Sequence, residues 1–553
     1  MPTETLPPPP VCLQPGATDH GEGLVTFALY APGKRSVHLI GSFNRWNSRA
    51  DPLQETDKGL WWIEKRLPPG EHSYQFVVDR ETVLCDPYAR VINTLRGCPP
   101  PCAVVGVGRT PYRWKHDAWQ RPAYKDLIIY EILIADFAPG GGFRGVKGRL
   151  PYLKDLGINA IELTPVSTAM NGEGWGYDPT FFFAVSDELG TSDDLKELID
   201  TAHAWGIAVL LDMVLAHTGK THPFLQLYPI DESPWYGRGL GEPNRFGFPT
   251  LDYSKKAAQD FAREVIRYWL REFHFDGVRL DYLLGIGARG EEGLPVLARC
   301  VREANPEAYL IGEYSPEAPG MMSAAGYDGS WHVITRYALI ALLRQGRLDE
   351  HDWNEFDKVT RYFDPRAHGY DTVYRAINFI ESHDEERIIY DTRVVGLSEE
   401  EAYRKSALGA SVLFTLPGQP MLYHGQEWGE DTRKKMGTNP LHWERFSTQA
   451  GRGLHEHYRK LCILRGLYPA LRSENYAVEA LYPEQKCIVY RRWTREGSKA
   501  VVAVNFSPEP RSIVVPLPAK GRWREALEDE VFDAGGLCTV MIPRSAARLF
   551  VQV

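Results

Sequence analysis

Four apolar, strand-like runs end in acidic residues that could do chemistry together. The runs are Phe275–Asp281 (FDGVRLD), Tyr309–Glu313 (YLIGE), Ala376–Asp384 (AINFIESHD) and Ile207–His217 (IAVLLDMVLAH), the last carrying Asp212 and His217. A carboxylate at the end of a hydrophobic strand is costly unless it has a partner or a task. Parallel strands closed into a barrel would gather such ends into one pocket. Two carboxylates facing one sugar ring are the working parts of a glycosidase. Arg279 precedes Asp281 by two residues, so both lie on the same strand face. Alone, an Arg-x-Asp would be a structural ion pair. The company of Glu313 and of His383 beside Asp384 turns the reading toward catalysis. Taken singly, His217 would be a satisfied core histidine, and Trp175 and Tyr177 ordinary packing.

Strands and helices must alternate to bring those ends together. From about residue 123 to 450 they do, in the pattern of repeated βαβ units. Thr191-Ser-Asp-Asp194 reads as a capping box opening a helix, with Leu195, Leu198, Ile199 and Ala202 as its apolar face and Gly206 as its stop. A second helix is expected through Ala258, Phe261, Ala262, Val265, Trp269 and Phe273. Before the alternating region, Leu24–Tyr30, Val37–Leu39, Trp61–Arg66 and Ser73–Val78 read as short strands, an all-β pattern bounded by Pro99–Pro101. Of Trp46, Trp61 and Trp62, at least one is expected in a core, since neighbours on a strand face opposite ways. The final stretch returns to β runs such as Cys487–Arg491 and Ala500–Asn505. The expected division is a Pro-rich tail (1–20), an N-terminal β-sandwich (21–112), a barrel (113–453) and a C-terminal β-sandwich (454–553).

Bulk properties bound the function. The chain of 553 residues exceeds one ordinary domain. A net charge of −9 without a long basic run argues against nucleic acid and anionic membranes as partners. The opening MPTETLPPPPVCLQPG lacks the basic and apolar regions of a signal peptide, and no stretch is apolar enough to span a bilayer. Cys98 and Cys102 flank three prolines; a polyproline rise would hold them roughly 12 Å apart, beyond the about 7 Å a disulfide allows. Mostly reduced thiols and a cytoplasmic location are therefore expected.

The residues Asp212, His217, Arg279, Asp281, Glu313, His383 and Asp384 fall in motifs that resemble the α-amylase family, glycoside hydrolase family 13. Gly145 to Val166 (GVKGRLPYLKDLGINAIELTPV), Trp175-Gly-Tyr177 and Gly418 to Glu427 (GQPMLYHGQE) are similar to further family segments in the same order. The segment Gly41-Ser-Phe-Asn-Arg-Trp46-Asn, with Gly70 to Asp79, resembles the glycogen-binding-type modules of branching and debranching enzymes. The resemblance covers nearly the whole chain. It implies a TIM barrel flanked by N- and C-terminal β-sandwiches. It implies Asp281 as nucleophile, kept ionised by Arg279, and Glu313 as acid/base with a raised pKa. Asp384 becomes the third carboxylate, His217 and His383 sugar ligands, and Tyr177 a platform under the ring. Asp212 is balanced between substrate contact and bracing Arg279. Two positions depart from the family. Ala216 stands where an asparagine commonly supplies a calcium ligand, and Ser382 replaces an asparagine; the excursion at 218–253 is also short. The expectation is a retaining hydrolase of α-1,4-linked glucose polymers or maltooligosaccharides, with no cofactor and no metal. The alternatives are a branching-type transglycosylase and an inactive glucan-binding protein.

Overall fold

The computed structural model describes residues 13–93, 101–138, 140–170, 175–237, 244–286, 293–345 and 355–553. Eight parallel strands close into a barrel. In chain order they are Ile129–Ile132 (β1), Ala160–Leu163 (β2), Ala208–Val214 (β3), Gly277–Asp281 (β4), Tyr309–Gly312 (β5), Gly329–Trp331 (β6), Ala376–Asn378 (β7) and Gln419–Tyr423 (β8). The pairing register places Asp212 opposite Arg279 and Val214 opposite Asp281, and Leu280 opposite Gly312. All four of β3, β4, β5 and β7 are shorter than their apolar runs suggested. β7 stops at Asn378, so His383 and Asp384 stand on the loop beyond it.

The helices form for the reasons visible in the chain. Asp194 N–H donates to Thr191 Oγ1 at 3.1 Å, and Thr191 N–H returns a bond to Asp194 Oδ2 at 3.0 Å. That reciprocal cap opens helix Ser192–Ala204. Gly206, just past its end, takes φ +67°, a left-handed conformation that glycine reaches without strain. Helix Lys256–Glu272 buries Phe261, Val265 and Trp269 against the barrel, and Trp269 Nε1 donates to Phe182 O at 2.9 Å.

The N-terminal module is two facing antiparallel sheets. Strand Leu24–Tyr30 has the expected bounds, and Leu60–Arg66 and Gly70–Val78 extend theirs by one to three residues. Trp61 lies in the core and donates to Ala31 O at 3.1 Å; Trp62 is buried too, and Trp46 is half-buried. The tail expected over 1–20 is shorter, because Gly16–Asp19 pairs with Leu24–Tyr30; residues 1–12 lie outside the described part. The module is packed on the barrel. Tyr88 stacks on Phe183 at 5.3 Å, and Tyr228 Oη donates to Pro32 O at 2.7 Å.

The last helix, Gln449–Leu467, contains the boundary expected at 453/454 and packs on the barrel, with Gln426 Nε2 donating to Tyr458 Oη at 2.9 Å. Beyond it the expected sandwich is one continuous six-stranded sheet. A register break between Leu517 and Gly521 bends its longest strand, and the sheet encloses its own apolar core around Val489, Val501 and Trp523. Cys102 is disulfide-bonded, while Cys85, Cys300, Cys462, Cys487 and Cys538 are free, as expected of mostly reduced thiols. Cys98 lies outside the described residues. Among the described residues no helix is long and apolar enough to cross a membrane.

Candidate active site

Arg279 organises the site. It enters from β4 and is fully buried. One terminal nitrogen donates to Asp212 Oδ1 at 2.7 Å and to Asp281 Oδ1 at 2.9 Å. The other donates to Glu313 Oε2 at 2.9 Å. Its plane lies 4.3 Å over the ring of Trp331, from β6. A planar fork with fixed donors suits such multiple carboxylate contacts where a lysine would not. Adjacent strands thus bring Asp212, Asp281 and Glu313 onto one guanidinium.

Arg279 does not act on Asp281 alone. Burial, reinforced by the charges of Glu313, Asp212 and Asp384, pushes the Asp281 carboxyl well above the ordinary range, against the pull of Arg279. The physical reason is division: one cation serves three carboxylates. Backbone geometry adds a further constraint. Tyr282, directly after Asp281, takes φ +47°, and its N–H donates to Glu313 Oε2 at 3.0 Å. A bulky residue in that left-handed region is strained, as is common at functional sites.

Asp384 and His383 form a second charged unit. His383 Nδ1–H donates to Glu131 Oε1 at 2.5 Å, its backbone N–H to Glu131 Oε2 at 3.1 Å, and its Nε2 faces Asp384 Oδ2 at 3.4 Å. Burial disfavours the imidazolium, but Asp384 and Glu131 outweigh it and carry the His383 pKa up to about 9. At Asp384 burial works upward, while His383, Lys434 and Arg279 prevail and hold the carboxyl at about 2. Lys434 Nζ donates to the Asp384 carbonyl at 2.6 Å and to its Oδ1 at 3.1 Å.

Tyr177 joins the two units. Its hydroxyl donates to Asp212 Oδ2 at 2.5 Å, and its ring stacks on His383 at 4.9 Å. His217 is placed differently from a free ligand. Burial lowers its pKa to about 4, so it is neutral. Its Nε2–H donates to Tyr177 O at 2.8 Å, and its Nδ1 accepts from Asn244 Nδ2 at 3.1 Å. Both ring nitrogens are committed, so His217 shapes the site's wall through Tyr177. Tyr177, His217, Asp281, Glu313, His383 and Asp384 all line one open cavity of about 590 Å³.

Sequence reasoning missed Glu131, Glu162, Trp331 and Lys434. Glu131 and Glu162 are opposed across β1 and β2, each an acid inside an apolar run, the same signal that drew attention to Asp281. Glu162 is buried, with neither carboxyl oxygen bonded among the described residues. Burial, with Asp212 and Glu131 nearby, pushes its pKa well up. Nothing local marked Lys434, which reaches Asp384 across the cleft. Ala216 offers no side-chain oxygen, and its carbonyl accepts from Leu251 N at 3.1 Å. The one three-residue set with metal-ligand spacing among the described residues is Glu430, Asp431 and His442. Its donors are already engaged: Glu430 accepts from His442 N at 2.7 Å, and Asp431 pairs with Arg445 at 2.5 Å.

The arrangement supplies a buried carboxyl that can attack, a second that can give or take a proton, and a third held as an anion. That is the apparatus for cleaving a glycosidic bond. A family model described as the alpha amylase catalytic domain matches residues 108–233 and 244–460. Carbohydrate-binding module 48 (isoamylase N-terminal domain) matches 14–89, and the alpha amylase C-terminal all-beta domain matches 480–544. The chain is 28% identical to a 1,4-alpha-glucan branching enzyme of Streptomyces avermitilis, over 92% of this chain and 93% of that one. A pullulanase from Anoxybacillus sp. LM18-11, crystallised with maltotetraose, shares the fold with a TM-score of 0.81 at 19% identity, covering 98% of this chain and 87% of the other. An alpha-amylase from Geobacillus thermoleovorans does so at 0.68 and 22% identity, covering 78% and 99%.

Proposed function

We propose that this chain, which belongs to the α-amylase family, cleaves α-1,4-linked glucan with retention of configuration. The observation that carries the reading is the single guanidinium holding Asp281 and Glu313 at 2.9 Å each. Sharing one guanidinium keeps the two carboxyls close, and retention calls for a spacing of about 5–5.5 Å, whereas inversion needs about 6.5–9.5 Å to admit a water. Asp281 attacks the anomeric carbon as Glu313 protonates the departing oxygen. Glu313 then takes a proton from the acceptor that releases the sugar. Asp384, anionic between His383 and Lys434, is placed to bind ring hydroxyls and to stabilise positive charge developing in the ring. Tyr177 offers the aromatic face beneath it.

The acceptor decides the outcome. The names of the curated relatives weigh toward transfer to a sugar hydroxyl, as in branching enzymes. We take that as the activity, with hydrolysis, the expectation from the sequence, as the alternative. The glucan is cytoplasmic on this reading, although the Cys102 disulfide would be unusual there. Proton NMR on amylose tests both levels. α-1,6 linkages formed with little rise in reducing ends establish transfer, and reducing ends without branches establish hydrolysis. First-formed products of inverted configuration would refute retention. Asp281→Asn should lower the rate by at least about three orders of magnitude, since no nucleophile remains.

A further inference from the structure

Lys220 and Arg245 line the same cavity as the three carboxylates. Neither side chain has an acidic partner among the described residues. Catalysis does not call for them as counter-charges. Asp212, Asp281 and Glu313 already share Arg279, and Asp384 has Lys434 and His383. A neutral glucan has no use for two surplus cations beside its cleavage point.

The turn Asn244–Phe248, which carries Arg245 and against which Lys220 packs, is built rather than loose. Asn244 Oδ1 accepts the N–H groups of Phe246 at 3.0 Å and Phe248 at 3.1 Å. Gly247 N–H donates to Asn244 O at 2.7 Å, with φ +78° at Gly247. The ring of Phe248 stacks on His217 at 4.9 Å, which ties the turn to the catalytic pocket. Lys220 Nζ sits 5.5 Å from the Phe248 ring centre, against the backbone at Gly247, where an added Cβ would meet it at 3.3 Å. The Arg245 guanidinium lies 4.8 Å from the Phe246 ring centre and 5.3 Å from that of Tyr282. The aromatic rings explain how both cations are held in place. They supply no anion.

We infer that this turn seats a phosphate monoester carried by the sugar chain, so that the enzyme's preferred substrate is a phosphorylated maltooligosaccharide. The inference rests on the α-glucan reading above. A phosphate offers up to two charges and three acceptor oxygens, which suits a point-charge ammonium beside a forked guanidinium better than a carboxylate does.

The test is calorimetric titration of the full chain carrying Asp281→Asn, which binds sugar without cleaving it. The ligands are maltotetraose, maltotetraose with a phosphate monoester on its terminal glucose, and the same sugar with a terminal carboxylate. The phosphate ester should bind about tenfold or more tighter than neutral sugar, an advantage that shrinks as salt rises. Adding Lys220→Gln and Arg245→Gln should bring the ratio close to one. Equal affinity for phosphorylated and neutral sugar would overturn the inference, as would an advantage that survives both substitutions. A carboxylated sugar binding as tightly as the phosphate ester would overturn the phosphate assignment. Failure of neutral maltotetraose to bind at all would instead strike the α-glucan reading, so the two are judged by different titrations.

Discussion

Arg279 and His383 each hold two or more carboxylates, and the pH behaviour of the molecule follows from that. His383 has a folded pKa of about 9, above the unperturbed value of about 6.5. Its contribution to stability is therefore fully present below about pH 6.5 and is lost as pH rises through about 9. Melting temperature should fall across that window. In Glu131→Gln, which removes one of the two charges raising that pKa, the fall should still begin at about pH 6.5 but end at lower pH and be smaller. Equal profiles for both proteins would show that Glu131 does not set the charge of His383. Asp281 makes the complementary prediction on the acid side. Since burial and neighbouring charges raise its pKa, the acid limb of kcat/KM should lie clearly above the ordinary aspartate value of about 3.9. A limb at or below that value would show that Arg279 outweighs its neighbours.

Elements hold these residues through caps, turns and packed faces. Helix Ser192–Ala204 covers β3, which delivers Asp212. Its Thr191–Asp194 capping box satisfies N–H groups that would otherwise be unbonded. Thr191→Ala should cost about 1 kcal/mol of stability, read by denaturant unfolding, with little change in kcat. A comparable loss of kcat without loss of stability would mean that the helix does more than support the strand. Phe261 illustrates the larger packing contribution, lying among Phe182, Phe183, Phe224 and Tyr88. Its replacement by alanine leaves a cavity in which several rings lose their partner, at a cost of about 3–5 kcal/mol.

Across the whole molecule, the N-terminal module and the barrel share one apolar seam. Tyr88 reaches into the aromatic cluster of helix Lys256–Glu272, and Trp235 meets Tyr30 at 5.8 Å. Removing residues 1–108 would expose that seam, so the truncated protein should be less soluble and melt lower. Equal stability with lost binding to insoluble starch would instead make the module a pure sugar-binding domain. Metal dependence belongs to the same scale. Ca²⁺ takes six to eight oxygens, and Ala216 supplies none from its side chain. Activity and melting temperature should survive a chelator; a drop in EDTA restored by Ca²⁺ would overturn this.

The sequence by itself determined the barrel, the flanking β domains and the strand-end carboxylates, because those rest on short-range periodicity and on motifs read in order. Asp281, Glu313 and Asp384 could be named from the chain, since each ends an apolar run. Glu131 was equally legible, as an acid within IIYEILI, and was passed over. Only the tertiary structure decided charge and partnership. Arg279 is divided among three carboxylates, a fact of barrel closure that the Arg279–Asp281 spacing alone does not reveal. His217 spends both nitrogens on Tyr177 and Asn244, partners that no local spacing names. Lys434 reaches Asp384 through a chain path that local spacing does not encode. Spacing along a strand tells which faces residues share, but burial and the number of charges competing for one partner exist only once the strands have closed.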